Sequence, residues 1–215
     1  ALFEELDGAV IRDLSIEGIR LVRDAQKGAL AGRIRNSQVE QIRVSGLVIE
    51  NGASQVGGLA GQITGSRLKR IALENISVKA RDTVGGLAGQ FDGLLLEDCL
   101  VTGRLEGTLV HPMGARIGGI TGWLGDGILR NCLTRVEIAA PERIGNGGII
   151  GGPQTGSAAV EASLSLSTGV NANRISGWNV LGITSTAYEL ESSDSESNLS
   201  PETEHRVFSA TEEET

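Results

Sequence analysis

Apolar and polar positions along this chain follow two rhythms, a short one of period two and a long one of about 29 residues. The short rhythm is clearest in Val39-Glu40-Gln41-Ile42-Arg43-Val44, Leu68-Lys69-Arg70-Ile71-Ala72-Leu73, Leu96-Glu97-Asp98-Cys99-Leu100-Val101 and Leu129-Arg130-Asn131-Cys132-Leu133-Thr134. An earlier half-unit, Ile11-Arg12-Asp13-Leu14-Ser15-Ile16, fits the same frame. Alternation of this kind suits a half-buried strand. Another short strand follows, as in Ile76-Ser77-Val78 or Val136-Glu137-Ile138.

Glycine carries the long rhythm. Val56-Gly57-Gly58-Leu59-Ala60-Gly61 recurs as Val84-Gly85-Gly86-Leu87-Ala88-Gly89, as Ile117-Gly118-Gly119-Ile120-Thr121-Gly122 and as Asn146-Gly147-Gly148-Ile149-Ile150-Gly151. Weaker copies lie at Lys27-Gly28-Ala29-Leu30-Ala31-Gly32 and Ile175-Ser176-Gly177-Trp178. The second residues of the copies stand at 28, 57, 85, 118, 147 and 176, in steps of 29, 28, 33, 29 and 29. A turn follows most blocks (Gly65-Ser66, Asp92-Gly93, Asp126-Gly127), and the alternating segment comes next. Glycine costs about 1 kcal/mol relative to alanine inside a helix, so paired-helix repeats do not fit. Three short strands per coil, about 29 residues per coil and about six coils describe a parallel β-helix over 1–185. Each strand would then pair with its counterpart one coil above, about 4.7–4.9 Å away. One interior column is expected to run Leu14, Ile42, Ile71, Cys99, Cys132 and Ser163. Gly57, Gly58, Gly85, Gly86, Gly118, Gly119, Gly147 and Gly148 are expected at corners, through positive φ or close backbone approach. The four prolines are expected in turns, insertions or the tail, where no ladder donor is lost.

Charge divides the chain. Residues 186–215 hold nine acidic groups and one basic group, so that end accounts for the whole net charge of −8. It is glycine-free and Ser/Glu-rich, and reads as an acidic tail or linker. Residues 1–185 hold 18 acids and 18 bases. A neutral body, in a chain with only 3% aromatics, argues against nucleic-acid binding, which needs a basic face and stacking rings. No run of about 20 apolar residues is present, so no membrane span is expected. The N-terminus lacks a basic-then-apolar leader; an exported parent would carry its signal elsewhere.

Candidate chemistry is sparse. Cys99 and Cys132 are 33 residues apart, matching the one lengthened step, which puts them at one position of adjacent coils. A disulfide is sterically feasible there, but two buried thiols filling the core is the preferred reading. No His or further Cys shares their column, so no metal site or cofactor is expected in this segment. Neither His111 nor His205 belongs to an H-E-x-x-H, and no G-x-S-x-G elbow exists. No glycine block continues into the Gly-Lys-Ser/Thr of a phosphate loop. The lengthened step inserts residues 106–116, and solenoid insertions emerge as loops on the binding face. His111, Pro112 and Met113 of this insertion, with Trp123 and Trp178 just after glycine blocks, are therefore the candidate partner-binding residues. The alternative for both tryptophans is corner packing.

The glycine hexapeptides, the stretch Ile117 to Leu124 and the stretch Asn146 to Gly156 resemble the non-catalytic glycine-repeat region of streptococcal zinc metallopeptidases of the IgA1-specific protease family. The opening Leu2-Phe3-Glu4-Glu5-Leu6-Asp7-Gly8-Ala9-Val10-Ile11-Arg12-Asp13-Leu14 also fits how that region begins. The resemblance spans about residues 2–185. It implies an exported, cell-wall-associated parent that cleaves a host glycoprotein such as immunoglobulin A1 at a zinc site far downstream. The zinc ligands of that family have no counterpart here, so no catalytic residue carries over. On this reading the segment is a monomeric scaffold or substrate-recognition module. Two rival readings stand beside it: a surface adhesin or stalk without a protease, and a carbohydrate-active enzyme marked by grouped carboxylates and bases on one flat face.

Overall fold

A computed structural model describes residues 1–23, 27–109, 116–140, 145–153, 158–169, 176, 183–185 and 188–189. Among these the chain is all β, without helix, and winds as a parallel β-solenoid of about five turns with about 29 residues in each. Three sheets run along the axis.

The six-rung sheet stacks Phe3–Asp7, Ala31–Arg35, Ala60–Thr64, Ala88–Asp92, Thr121–Leu124 and Ile150–Pro153. A short sheet stacks Val56–Gly57, Thr83–Gly85, Arg116–Gly118 and Asn146–Gly147. The broad sheet collects the rest, led by Val10–Glu17, Gln38–Ser45, Arg67–Ala80 and Leu95–Gly107. Past these, Ile183–Ser185 pairs with Ala158–Glu161, and Tyr188–Glu189 pairs with Leu164–Ser165.

Interior columns explain why the coils stack. Leu6, Ile34, Ile63, Phe91 and Leu124 occupy successive rungs of the six-rung sheet and are buried. Opposite them, Leu14, Ile42, Ile71 and Cys99 stand in register in the broad sheet, and the Cys132 backbone N–H donates to Ser163 Oγ. Each large apolar side chain so buried contributes about 1.5–3 kcal/mol. At the corner between the two sheets, buried serines stack instead. Ala9 N–H donates to Ser37 Oγ and Ser37 N–H to Ser66 Oγ, while the two hydroxyls donate to the Arg35 and Thr64 carbonyls. Hydroxyls there satisfy backbone donors that the turning chain cannot pair.

The glycine blocks form the wall of the short sheet and its turn, and their reason is close approach rather than positive φ. A Cβ on Gly85 would overlap the Ala88 carbonyl, and one on Gly58 would overlap the Gly86 carbonyl. Positive φ is found elsewhere, at Gly8, Gly18, Gly46 and Gly65 and in one column of non-glycine residues. Asp13, Gln41, Arg70, Asp98 and Asn131 all hold φ between 51° and 56°, one above another. This column bends the broad sheet once per coil. A second bend at Asn75, with φ 53°, lets Arg67–Ala80 run as one long strand where the alternation suggests two. Pro153, expected outside the strands, ends Ile150–Pro153 instead. It occupies the last position of that strand, paired with Leu124.

Candidate functional site

Two outward faces carry the exposed polar side chains, and they are built differently. On the broad sheet, one column reads Arg12, Glu40, Lys69, Glu97, Arg130, Glu161, with charge alternating at every rung. Ion pairs follow the alternation: Arg12–Glu40 at 3.4 Å, Lys69–Glu97 at 2.8 Å, Arg130–Glu97 at 3.6 Å and Arg130–Glu161 at 2.7 Å. Arg70 pairs back to Glu40. Farther along the same sheet, Lys79 pairs with Glu106 at 2.6 Å and Arg104 pairs with Glu137. A depression of about 250 Å³ beside these groups is lined by Glu50, Lys79, Arg104 and Glu106 among others; Lys79 and Arg104 both pair with Glu106, and Glu50 pairs with Arg20.

Scattered along the chain, these charges become ordered only on winding. Hydrogen bonds to their carboxylates hold Lys69, Lys79, Arg104 and Arg130 above their ordinary pKa values, with Glu97, Glu106, Glu137 and Glu161 as the respective partners. On the broad face, acids and bases are thus joined coil to coil as a lattice of ion pairs.

The left-handed column is tied along its length as well. Gln41 Nε2 donates to Asp13 Oδ1 at 2.8 Å, Arg70 Nη2 to Gln41 Oε1 at 2.9 Å and Asn131 Nδ2 to Asp98 Oδ1 at 3.2 Å. Bonds of this kind help hold a backbone conformation that side-chain-bearing residues otherwise avoid.

The six-rung sheet presents another surface. Its outward column reads Glu5, Arg33, Gln62, Gln90, Trp123, Gly152, and beside it run Asp7, Arg35, Thr64 and Asp92. Arg33 Nη2 lies 3.4 Å from Glu5 Oε2, and Arg35 Nε donates to Glu5 Oε1 at 2.6 Å. Two guanidiniums thus share the Glu5 carboxylate, and Asp7, paired in register with Arg35, balances the second positive charge. Arg33, Arg35, Gln62 and Thr64 line an open depression of about 260 Å³. Above it, Gln62 Nε2 donates to Gln55 Oε1 at 2.7 Å and Gln55 Nε2 to Gln90 Oε1 at 2.8 Å. Among the described residues, Gln62 Oε1 and Gln90 Nε2 make no hydrogen bond.

Trp123, a candidate from the sequence, sits at the upper end of this face, half-buried. The Arg116 guanidinium lies 4.7 Å from its ring centre, a cation–π contact. Its indole N–H is shielded from solvent and finds no acceptor among the described residues. His111, Pro112, Met113 and Trp178 lie outside the described residues. Cys99 and Cys132 are free thiols, both buried. Burial first, and then the neighbouring Cys132, push the Cys99 thiol well above its ordinary pKa, so it stays protonated and unreactive. Among the described residues no three of His, Cys, Asp and Glu are grouped to hold a metal ion, and no helix is long and apolar enough to cross a membrane.

The sequence reading missed Arg33, Gln62 and Gln90. A signal for them existed: each follows the last glycine of a block, as Trp123 does, in Gly32-Arg33, Gly61-Gln62, Gly89-Gln90 and Gly122-Trp123. No protein-family model matches the chain, and no curated protein matches it.

Proposed function

We propose that this chain is a non-catalytic β-helix module of a secreted, cell-wall-associated zinc metalloendopeptidase like the IgA1-specific proteases, serving as scaffold and substrate-recognition surface for a host glycoprotein. The observation that supports the scaffold part is the broad face, where acids and bases are paired from coil to coil along the domain. Coil-to-coil ladders over the length of the domain make a stiff support on which a second face can present side chains. The reading counts six coils with three short strands in each, the last one resting on the pairing of Ile183–Ser185 and Tyr188–Glu189 with the coil below. Zinc, on this reading, belongs to the downstream catalytic part of the parent.

The test compares the full protease with a version lacking this segment. Removal is expected to raise KM for immunoglobulin A1 by about tenfold, equivalent to about 1.4 kcal/mol of binding, while kcat stays within a factor of two or so. Cleavage of immunoglobulin A1 by the purified segment with zinc would overturn the proposal. So would an unchanged KM.

A further inference from the structure

We propose that Cys99 and Cys132 are a modification site: under a small-molecule disulfide oxidant they close a disulfide between neighbouring coils, a covalent staple at the one lengthened step of the solenoid. The bond belongs to the frame of the module and would form whatever the module recognises.

The chain has two cysteines, and both fall in one interior column on adjacent rungs. Register fixes this from both sides, since Glu97 pairs with Arg130 just before them and Leu100 with Leu133 just after. Neighbouring strands put the two Cα atoms about 4.7–4.9 Å apart, inside the roughly 4.4–6.8 Å that a disulfide spans. The backbone turns both side chains the same way. Asp98 and Asn131, the residues before them, hold φ of 55° and 51°, and Asn131 Nδ2 donates to Asp98 Oδ1 at 3.2 Å. Each thiol then donates to the carbonyl two residues back, Cys99 Sγ to Glu97 O and Cys132 Sγ to Arg130 O, both at 3.4 Å. Cys132 is also a direct hydrogen-bonding neighbour of the Cys99 thiol. Thiols are weak donors, so little is given up when their hydrogens leave. Filling space does not call for sulfur here, because Ile71 and Ile42 occupy the same column in the two coils below Cys99.

Both thiols are buried in the wound chain, and Cys99 stays protonated there, so the bond forms before the coils close. The oxidant is a disulfide of the glutathione type. One cysteine thiolate attacks it and releases a first small thiol; the other cysteine thiolate attacks the mixed disulfide and releases a second. Two protein thiols are thereby oxidised to one disulfide, one small disulfide is reduced to two thiols, and the two protons end on those thiols. The ring so closed runs from 99 to 132 and holds the whole insertion 106–116. Closing it removes freedom from the unfolded chain, and the longest coil has the most freedom to remove. Once the coils are wound, the same burial keeps reductant from the sulfurs.

The experiment unfolds the full chain and refolds it either with a mixture of reduced and oxidised glutathione or with dithiothreitol. The glutathione sample is expected to be lighter by two hydrogens, to show no free thiol in denaturant, and to yield one digest peptide joining Cys99 to Cys132. The dithiothreitol sample should show two free thiols in denaturant. At equal far-ultraviolet dichroism, the oxidised form should melt about 5–10 °C above the reduced one. Cys132→Ala should melt at one temperature after either treatment. Two free thiols after oxidising refolding, glutathione left on either cysteine, or a bond that joins two chains would each overturn the proposal. So would a bond that forms only with loss of the β dichroism, or an oxidised form that melts no higher than the reduced.

Discussion

The broad face and the six-rung face are made by the same coils, yet they spend their outward side chains in opposite ways. On the broad face, acid and base alternate from Arg12 to Glu161, and the side chains of one coil are partnered by those of the next. On the six-rung face the charged pairing ends at Arg33 and Arg35, and Gln62, Gln90 and Trp123 follow with polar atoms or ring surface to spare. Stacking apolar residues holds the coils together on both sides. Both sides also tie one coil to the next through side chains, the broad face by ion pairs along its whole length and the six-rung face by ion pairs at one end and amide bonds farther along.

The comparison breaks first if its common foundation is disturbed. Gly85→Ala puts a Cβ against the Ala88 carbonyl and is expected to cost about 3 kcal/mol or more, seen as a lower urea midpoint. Both faces should fail together. Charge reversal separates them. Lys69→Glu would set three acids on consecutive rungs, and the Tm should fall by several degrees at low salt and by less at high salt, since exposed pairs are screened. Adding Glu97→Lys to that variant should recover part of the loss.

Alkaline titration probes the same face and the core beneath it. The Cys99 thiol is raised in the folded state, whereas an unfolded thiol ionises at about 8.5, so stability should start to fall above that pH. Cys99→Ala should remove this first decline. Lys69 and Lys79 are also raised, so their contribution is complete below about 10.4 and is lost as pH climbs through their folded values. Thiol reagents at neutral pH should label neither Cys99 nor Cys132 until denaturant is added. The smallest effect belongs to the six-rung face: Gln90→Ala should alter stability by no more than about 0.5 kcal/mol, because its amide supports no backbone group. A larger loss would mean that the glutamines, too, are structural.

Much of the coil-to-coil registration was legible in the glycine spacing. A step of 28 residues set Val84 above Val56, and the lengthened step to Gly118 still returned Ile117 to its rung beside Val84. Hydrophobic columns such as Leu14, Ile42, Ile71 and Cys99 followed directly, because burial demands the same kind of residue at the same phase. The bends were harder to see. They fall on Asp13, Gln41, Arg70 and Asp98, whose types do not announce positive φ as glycine would, and the bonds that steady several of them come from the next coil. The amide and aromatic face was hidden for a different reason. Arg33, Gln62, Gln90 and Trp123 share no chemistry that a motif search recognises, and only their common position after a glycine block unites them. Arg116 reaches Trp123 from the end of the insertion, a contact that depends on how the chain returns from it.

The alternating column has a consequence for how such a solenoid can change length. Gain or loss of one repeat inverts the parity of every rung beyond the junction and brings two like charges face to face at the seam. Gain or loss of two restores it. A gene encoding this domain would thus tolerate duplication or deletion of paired repeats far better than of single ones, and a chain that mispaired by one coil while folding would meet repulsion at each step until it let go.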